Sequence, residues 1–258
     1  MAEGTVIRDR ADLLRRTLSK QMTKNTQSRD AQFQSEQMFN STLTSKLYNA
    51  GRRVVSSEYM RKNHVSEIMD QADASKVVVE LGSGNRRVRD DVINVDLFPF
   101  PNVNIVADIA ATPFKDNSID IVILDTVLEH VADPWCVVRE ILRVLKPGGR
   151  VICCTPFVFP YHGYPNHYWN FSKDGLEVLF KGFSSCRIEI SLGPTGAILN
   201  LISEYTAVAI SGSSTTLYTL TKGVTLLPIF LLKYLDRFWT PSGRGHRIAS
   251  HLCAIAIK

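Results

Sequence analysis

The sequence predicts an α/β fold: a seven-stranded, mostly parallel sheet with a helical N-terminal extension and a helical insertion before the last strand. Three observations predict it. Short β-branched apolar runs alternate with segments of helical period, the pattern of a parallel sheet flanked by helices. The first run, Val77-Val78-Val79-Glu80-Leu81, ends in the turn Gly82-Ser83-Gly84, where the chain can bend sharply and approach a ligand without a Cβ in the way. The second run, Ile93-Asn94-Val95, carries Asp96 at its tip, placed to accept hydrogen bonds from ribose hydroxyls.

Residues 1–75 are polar and rich in Ser, Thr and Gln, and the first 35 or so are expected to be loosely ordered. From Phe39 to Met69 the apolar spacing suggests two amphipathic helices. Strands are expected at 77–81, 92–95, 103–107, 119–124, 150–155, 187–191 and 252–257. One helix is predicted over Trp135–Leu145, after Pro134 at its first position, and ends at Lys146-Pro147-Gly148-Gly149. A second runs over Lys173–Phe180, capped by Ser172. The domain reading is therefore an extension at 1–75, a core at 76–192, an apolar helical insertion at 193–248 and a closing core strand at 249–258. Within the insertion, Leu226-Leu227-Pro228-Ile229-Phe230-Leu231-Leu232 has no polar stripe. A buried helix on the N-terminal extension fits it, and so does an interfacial membrane helix or a lid over the substrate.

A chain of 258 residues with 45% apolar and 21% charged residues is ordinary for a soluble globular protein. The net charge of +5 divides into +3 over residues 1–75, −2 over 76–192 and +4 over 193–258. Basic flanks favour an anionic partner, although a few charges are commonly just a solvated face. The five cysteines show no C-x-x-C spacing and read as reduced thiols, so neither a metal site nor a disulfide framework is expected. Met1-Ala2-Glu3-Gly4 leads into charged residues without an apolar h-region, which predicts a cytoplasmic protein, peripheral to the membrane if the insertion binds lipid.

The order of motifs resembles the class I S-adenosylmethionine-dependent methyltransferases, specifically the small-molecule group with a Leu-Glu-His signature. The resemblance covers about residues 76–183. It rests on Val79-Glu80-Leu81-Gly82-Ser83-Gly84, Asn94-Val95-Asp96, Ala107-Asp108-Ile109 with Thr112-Pro113-Phe114, and Ser118-Ile119-Asp120-Ile121-Val122. Val127-Leu128-Glu129-His130-Val131 with Asp133-Pro134, and Arg143-Val144-Leu145-Lys146-Pro147-Gly148-Gly149, complete it. Any one motif is weak; their order and spacing carry the resemblance. It implies a Rossmann-like fold and S-adenosylmethionine as cofactor. Glu80, Gly82, Ser83, Gly84, Asn85 and Arg86 would then face the amino-acid end, with free backbone N–H groups for the carboxylate. Asp96 and Leu97 would lie at the ribose, Asp108 and Ile109 at the adenine, and Asp125, Thr126 and Glu129 at the methionine and sulfonium.

Arg86 stands where the family usually has a third glycine, and 16 residues from Glu80 to Asp96 are too few for the usual helix plus a second strand. Arg86 or Arg87 is then the expected source of positive charge for the cofactor carboxylate. Methyl transfer from a sulfonium is an in-line displacement that needs alignment, plus proton removal when the acceptor is a hydroxyl. His130, His162 and His167 are the candidate bases, and Phe157, Tyr161, Tyr164, Tyr168 and Trp169 the candidate acceptor-binding residues. A segment as aromatic as Tyr161–Trp169 is expected to be more than a connection. Leu124-Asp125-Thr126-Val127 lacks the Asn/Asp-Pro-Pro-aromatic motif of amino-directed nucleic-acid methyltransferases and the cysteine of cytosine-C5 enzymes. The expected acceptor is a small molecule, first a hydroxyl of a sugar, a lipid-linked glycan or a natural product. An RNA methyltransferase using the basic flanks and a non-catalytic cofactor-binding protein are the competing readings. Nucleic acid is an unlikely partner, and residues 223–235 are the expected contact with a membrane surface.

Overall fold

The computed structural model describes residues 63–73, 75–163, 166–241 and 243–258. The expectations for residues 1–62, including the loosely ordered start and the helices before residue 63, lie outside these. So does Tyr164.

Seven strands form one sheet in the order β3-β2-β1-β4-β5-β7-β6. They are β1 Val78–Leu81, β2 Ile93–Asp96, β3 Ile105–Val106, β4 Ile119–Asp125, β5 Leu145–Pro156, β6 Ser185–Leu192 and β7 His251–Ile257. The pairs from β3 through β5 are parallel, and β7 runs antiparallel to both β5 and β6. Alternate residues serve opposite faces, as the two-residue period of a strand requires. Val79, Leu81, Val122, Leu124, Val151 and Cys153 pack with helices α2 (Pro134–Val144) and α3 (Lys173–Leu179). Val78, Ile121, Ile123, Ile152 and Cys154 pack under α1 (His64–Gln71). Residues 64–71 fall in the stretch read as N-terminal extension, yet α1 buries Val65, Ile68 and Met69 against the sheet and so belongs to the core.

The helix boundaries have local causes. Asp133 accepts from the Cys136 N–H at the start of α2, with Pro134 in the first turn, where its missing N–H costs nothing. Ser172 caps α3 by accepting from the Gly175 N–H at 3.1 Å. The third strand is shorter than the expected 103–107 because Val103 N–H is bonded to Phe100 O, closing a turn. The fifth is longer, because Leu145 already pairs with Ile119 ahead of an irregularity in the ladder.

No helix joins β1 to β2; the connection is irregular, as the short spacing predicts. Side chains hold it instead. Asn94 donates to Arg86 O at 2.7 Å, Arg87 to Asn102 O at 2.8 Å, and Asn102 to Asn85 O at 2.8 Å. Arg89 donates to Met69 O at 2.8 Å and fastens the far end of the loop to α1.

Residues 194–248 form α4 (Pro194–Ser211), α5 (Thr215–Leu226), a 3-10 helix at Phe230–Leu235, α6 (Asp236–Trp239) and a 3-10 helix at Gly245–Ile248. The apolar stretch 226–232 is not one buried helix. The chain bends by 57° between the α5 segment and Phe230–Trp239, and Leu227, Leu231 and Leu232 are exposed. Among the described residues no single helix is long and apolar enough to cross a membrane. Because Leu192 and His251 pair at the end of the sheet where β5 closes with Pro156, the whole insertion hangs from the carboxyl edge of the parallel strands.

Candidate functional site

The carboxyl edge gathers the expected site residues. Gly82 and Gly84 adopt positive φ, at 71° and 55°, a region L side chains rarely enter. A Cβ on Gly82 would lie 2.5 Å from a methyl of Val127, so the turn after β1 packs directly on the turn after β4; a Cβ on Gly84 would meet open space. Thr126 is also strained, a β-branched residue at φ 58°, and its hydroxyl donates to Asp125 O at 2.6 Å.

The amides of the glycine turn do not match the expectation. Gly82 and Ser83 N–H both donate to Val95 O (2.8 and 3.2 Å), Gly84 N–H to Asp96 Oδ2 (2.8 Å) and Arg86 N–H to Ser83 O (3.1 Å). The turn is closed by its own hydrogen bonds and leaves these donors unavailable for a carboxylate.

Charged side chains meet beside the turn. Arg86 donates from Nε to Glu80 Oε1 at 3.0 Å and from its terminal nitrogens to both Glu80 and Asp125. Burial pushes the Glu80 carboxyl up from its usual value, and Arg86 opposes that. Burial also works against the Arg86 charge, but Asp125 and Glu80 outweigh it and raise its pKa. Arg87 points away, into the 102–104 turn, so of the two arginines only Arg86 stands among the site acids. Asp96 is buried, its oxygens taking the Gly84 and Phe98 N–H groups at 2.8 and 2.9 Å. Leu97 is exposed beside it. Asp108 is exposed and accepts from Ala110 N–H at 2.8 Å, next to buried Ile109.

The histidines meet, although 32 residues separate the first two. Ring centroids are 5.1 Å apart for His130–His162, 4.3 Å for His162–His167 and 6.1 Å for His130–His167. Glu129, expected at the sulfonium, turns its buried carboxylate toward His130 and His162. That carboxylate pushes the His162 imidazole up. Burial first, then His162, pushes His167 down. Both His167 nitrogens are engaged, Nδ1 by His162 N–H at 3.2 Å and Nε2 by Trp169 O at 2.9 Å, so this ring fixes the loop and has no free nitrogen for an acceptor proton.

Two backbone bonds pin the aromatic segment to the 3-10 helix at Leu128–His130: Tyr168 and Trp169 N–H both donate to Glu129 O. Trp169 Nε1 donates to Val131 O at 2.9 Å and its ring meets Trp135 edge-on at 5.7 Å. Phe157 is half-buried at the end of β5, whereas Tyr161 and Tyr168 are exposed. Three participants escape sequence reading: Val127 against Gly82, Trp135 against Trp169, and His251, whose ring lies 4.9 Å from that of Phe159. Only the pairing of β7 with β5 places His251 here. A second cleft, at the opposite edge of the sheet near Lys76, Asp120 and Lys146, already has its charges matched, with Lys146 Nζ 2.7 Å from Asp120.

Residues 54–153 match the family model described as a methyltransferase domain. The match spans β1, β2, β3, β4 and most of β5, among them the strands that carry Glu80, Asp96 and Asp125. The domain's relatives include uncharacterized methyltransferases of Mycobacterium tuberculosis (42% identity over 65 residues, 25% of this chain and 26% of that protein) and Mycolicibacterium gilvum (46% over 55 residues, 21% and 22%). The chain thus spans about a quarter of the length of the curated relatives it matches. Among solved structures it is similar to the Haemonchus contortus phosphoethanolamine N-methyltransferase 2 complex with S-adenosyl-L-methionine (18% identity, TM-score 0.45, covering 71% of this chain and 48% of that one). It is also similar to a Thermotoga maritima SAM-dependent methyltransferase (18%, 0.45, 83% and 95%).

The strand tips offer a donor set that fits S-adenosylmethionine, the cofactor the motif order implies. A sulfonium, an ammonium and ribose hydroxyls call for acceptors, and the strand tips present Glu80, Asp96 and Asp125. Glu80 Oε2 is buried without a hydrogen-bond partner.

Proposed function

We propose that this chain transfers the methyl group of S-adenosylmethionine to a hydroxyl of a small acceptor, most specifically a lipid-carried glycan, and that it belongs with the small-molecule group bearing the Leu-Glu-His signature. The observation that carries the reading is the carboxyl edge itself: acids of β1, β2 and β4 around a closed glycine turn, opposite a histidine and aromatic loop. The cofactor brings a carbon already activated for displacement. The chain's own residues supply the rest. Glu80 and Asp125 face positive charge, Arg86 meets the carboxylate, and Asp96 keeps lone pairs for ribose hydroxyls. Glu129 with His130 and His162 marks the place where an acceptor hydroxyl loses its proton.

The insertion supports a lipid-carried acceptor. Exposed Leu231, Leu232, Phe238 and Trp239 stand among exposed Arg237, Arg244 and Arg247, an apolar surface fringed by cations that suits an anionic bilayer. It hangs from the same edge as the site.

Calorimetry with S-adenosylmethionine and with S-adenosylhomocysteine tests the first step, and micromolar binding of either is expected. Labelled methyl transfer is then compared across lipid-extracted glycans, free sugars and RNA. Incorporation into the lipid fraction supports the reading, salt-sensitive incorporation into RNA replaces the acceptor, and absence of heat with both ligands overturns the cofactor assignment.

A further inference from the structure

Glu129 is fully buried, and neither of its carboxylate oxygens has a hydrogen-bond partner. A buried carboxylate without donors is strongly unfavourable unless a cation compensates it. Facing Oε1 are His162 Nε2 at 3.7 Å and His130 Nε2 at 3.8 Å, both beyond hydrogen-bonding distance. The other nitrogen of each ring settles what these atoms present. His130 Nδ1 bonds to the Asn166 carbonyl, and His162 Nδ1 to the Pro160 carbonyl at 3.2 Å. A carbonyl only accepts, so Nδ1 carries the hydrogen in both rings, and in the neutral imidazoles Nε2 is a bare lone pair. With both rings neutral, two lone pairs on half-buried imidazoles therefore converge on the buried carboxylate, an arrangement that favours a cation between them.

We propose that Glu129, His130 and His162 form a binding site for a divalent transition-metal ion. Two imidazole nitrogens and one carboxylate oxygen are a zinc-type donor set that leaves a coordination position open. The three ligand atoms lie within 4.8 Å of one another, a separation that bonds of about 2.1 Å close with small movements. Donation of each Nδ1–H to a backbone carbonyl is the outer-shell arrangement that fixes ligating imidazoles in tautomer and orientation. If Nε2–H were instead hydrogen-bonded to Glu129, the separations would be near ~2.8 Å. Nothing in the spacing announces the site, because Glu129 and His130 follow β4 whereas His162 follows β5. The role of the ion, though not its existence, rests on the proposed methyl transfer: it would hold the acceptor oxygen and make its hydroxyl more acidic, so that the proton leaves to solvent water and no histidine is needed to take it.

The test uses the full chain, stripped with a chelator and titrated with Zn2+ by calorimetry. One ion per chain at micromolar affinity or tighter is expected, with binding weakened at least tenfold in Glu129→Gln and in His162→Ala. His246→Ala keeps the affinity within about threefold, because His246 lies in the 3-10 helix at Gly245–Ile248, outside the donor set. Co2+ substitution in the unmutated chain gives visible absorption of low-coordinate cobalt, displaced by Zn2+, a readout independent of how any variant folds. Absence of Zn2+ binding, a cobalt spectrum of the hydrated ion, or binding untouched by both substitutions overturns the site. S-adenosylmethionine binding measured alongside separates the two claims: cofactor without zinc leaves the methyltransferase reading standing, and zinc without cofactor leaves the metal site standing.

Discussion

Arg86 is held by two carboxylates, and the proposed function has it meet a third, that of the cofactor. The turn's own amides are spent on Val95 and Asp96, so little else can offset a carboxylate there. A hydrogen bond to a charged group is worth about 1.5–3 kcal/mol; Arg86→Ala is accordingly expected to weaken S-adenosylmethionine at least tenfold by calorimetry, with unchanged affinity as the contrary result. His251 has a different consequence. Burial, the leading cause, pushes its imidazole down to about 4, with His162 adding to the effect and Asp125 opposing it. The unfolded chain binds this proton near pH 6.5 and the folded one near 4, so stability is full above 6.5 and is lost as pH falls through that window. The loss between pH 7 and 5 should be about 2 kcal/mol in urea unfolding, and His251→Asn should lack it; equal pH slopes in both proteins would contradict the assignment.

Two elements depend on close approach. Gly82 sits at positive φ against Val127, so Gly82→Ala combines backbone strain of about 1–2 kcal/mol with overpacking of about 1–3 kcal/mol. Adding Val127→Ala should recover the second part and leave the first, measurable as a partial return of the unfolding midpoint. Asp236, fully buried on α6, accepts from Thr195 and Gly196 N–H at 2.7 and 3.0 Å and caps α4. Asp236→Ala is expected to cost about 2–3 kcal/mol and to expose residues 194–241 to proteolysis before the sheet. Most strands are legible in the sequence because a doubly covered sheet demands mainly apolar runs, and 77–81 and 119–124 are such runs, each broken by one acid, Glu80 and Asp120. The two-residue β3 is not, because a turn bonded through Phe100 O takes residues that local composition would place in the strand. The missing helix before β2 is legible from length alone. What replaces it is not, since Asn94, Arg87 and Asn102 act through partners fixed only by the fold.

The molecule as a whole puts chemistry and an oily, cation-fringed surface at one end of a sheet, because antiparallel β7 returns the chain from the insertion at Pro156. Flotation with vesicles containing anionic lipid should recover the chain at low salt, and Phe238→Glu with Leu231→Glu should leave it in the dense fraction; recovery of both alike would remove the lipid contact. The acids of the strand tips and the histidines become legible as one edge only at this scale, since β1, β4 and β5 bring together side chains far apart in the sequence, Glu80 and His162 among them. Hanging the insertion from the edge that carries Glu80, Asp125 and Glu129 also bears on which quantity governs speed in the proposed reaction. With the proposed lipid-carried acceptor, a chain seated on the bilayer would sample it in two dimensions, so velocity should track the mole fraction of acceptor among the lipids, and diluting that acceptor with inert phospholipid should slow the reaction even at constant total amount in the tube.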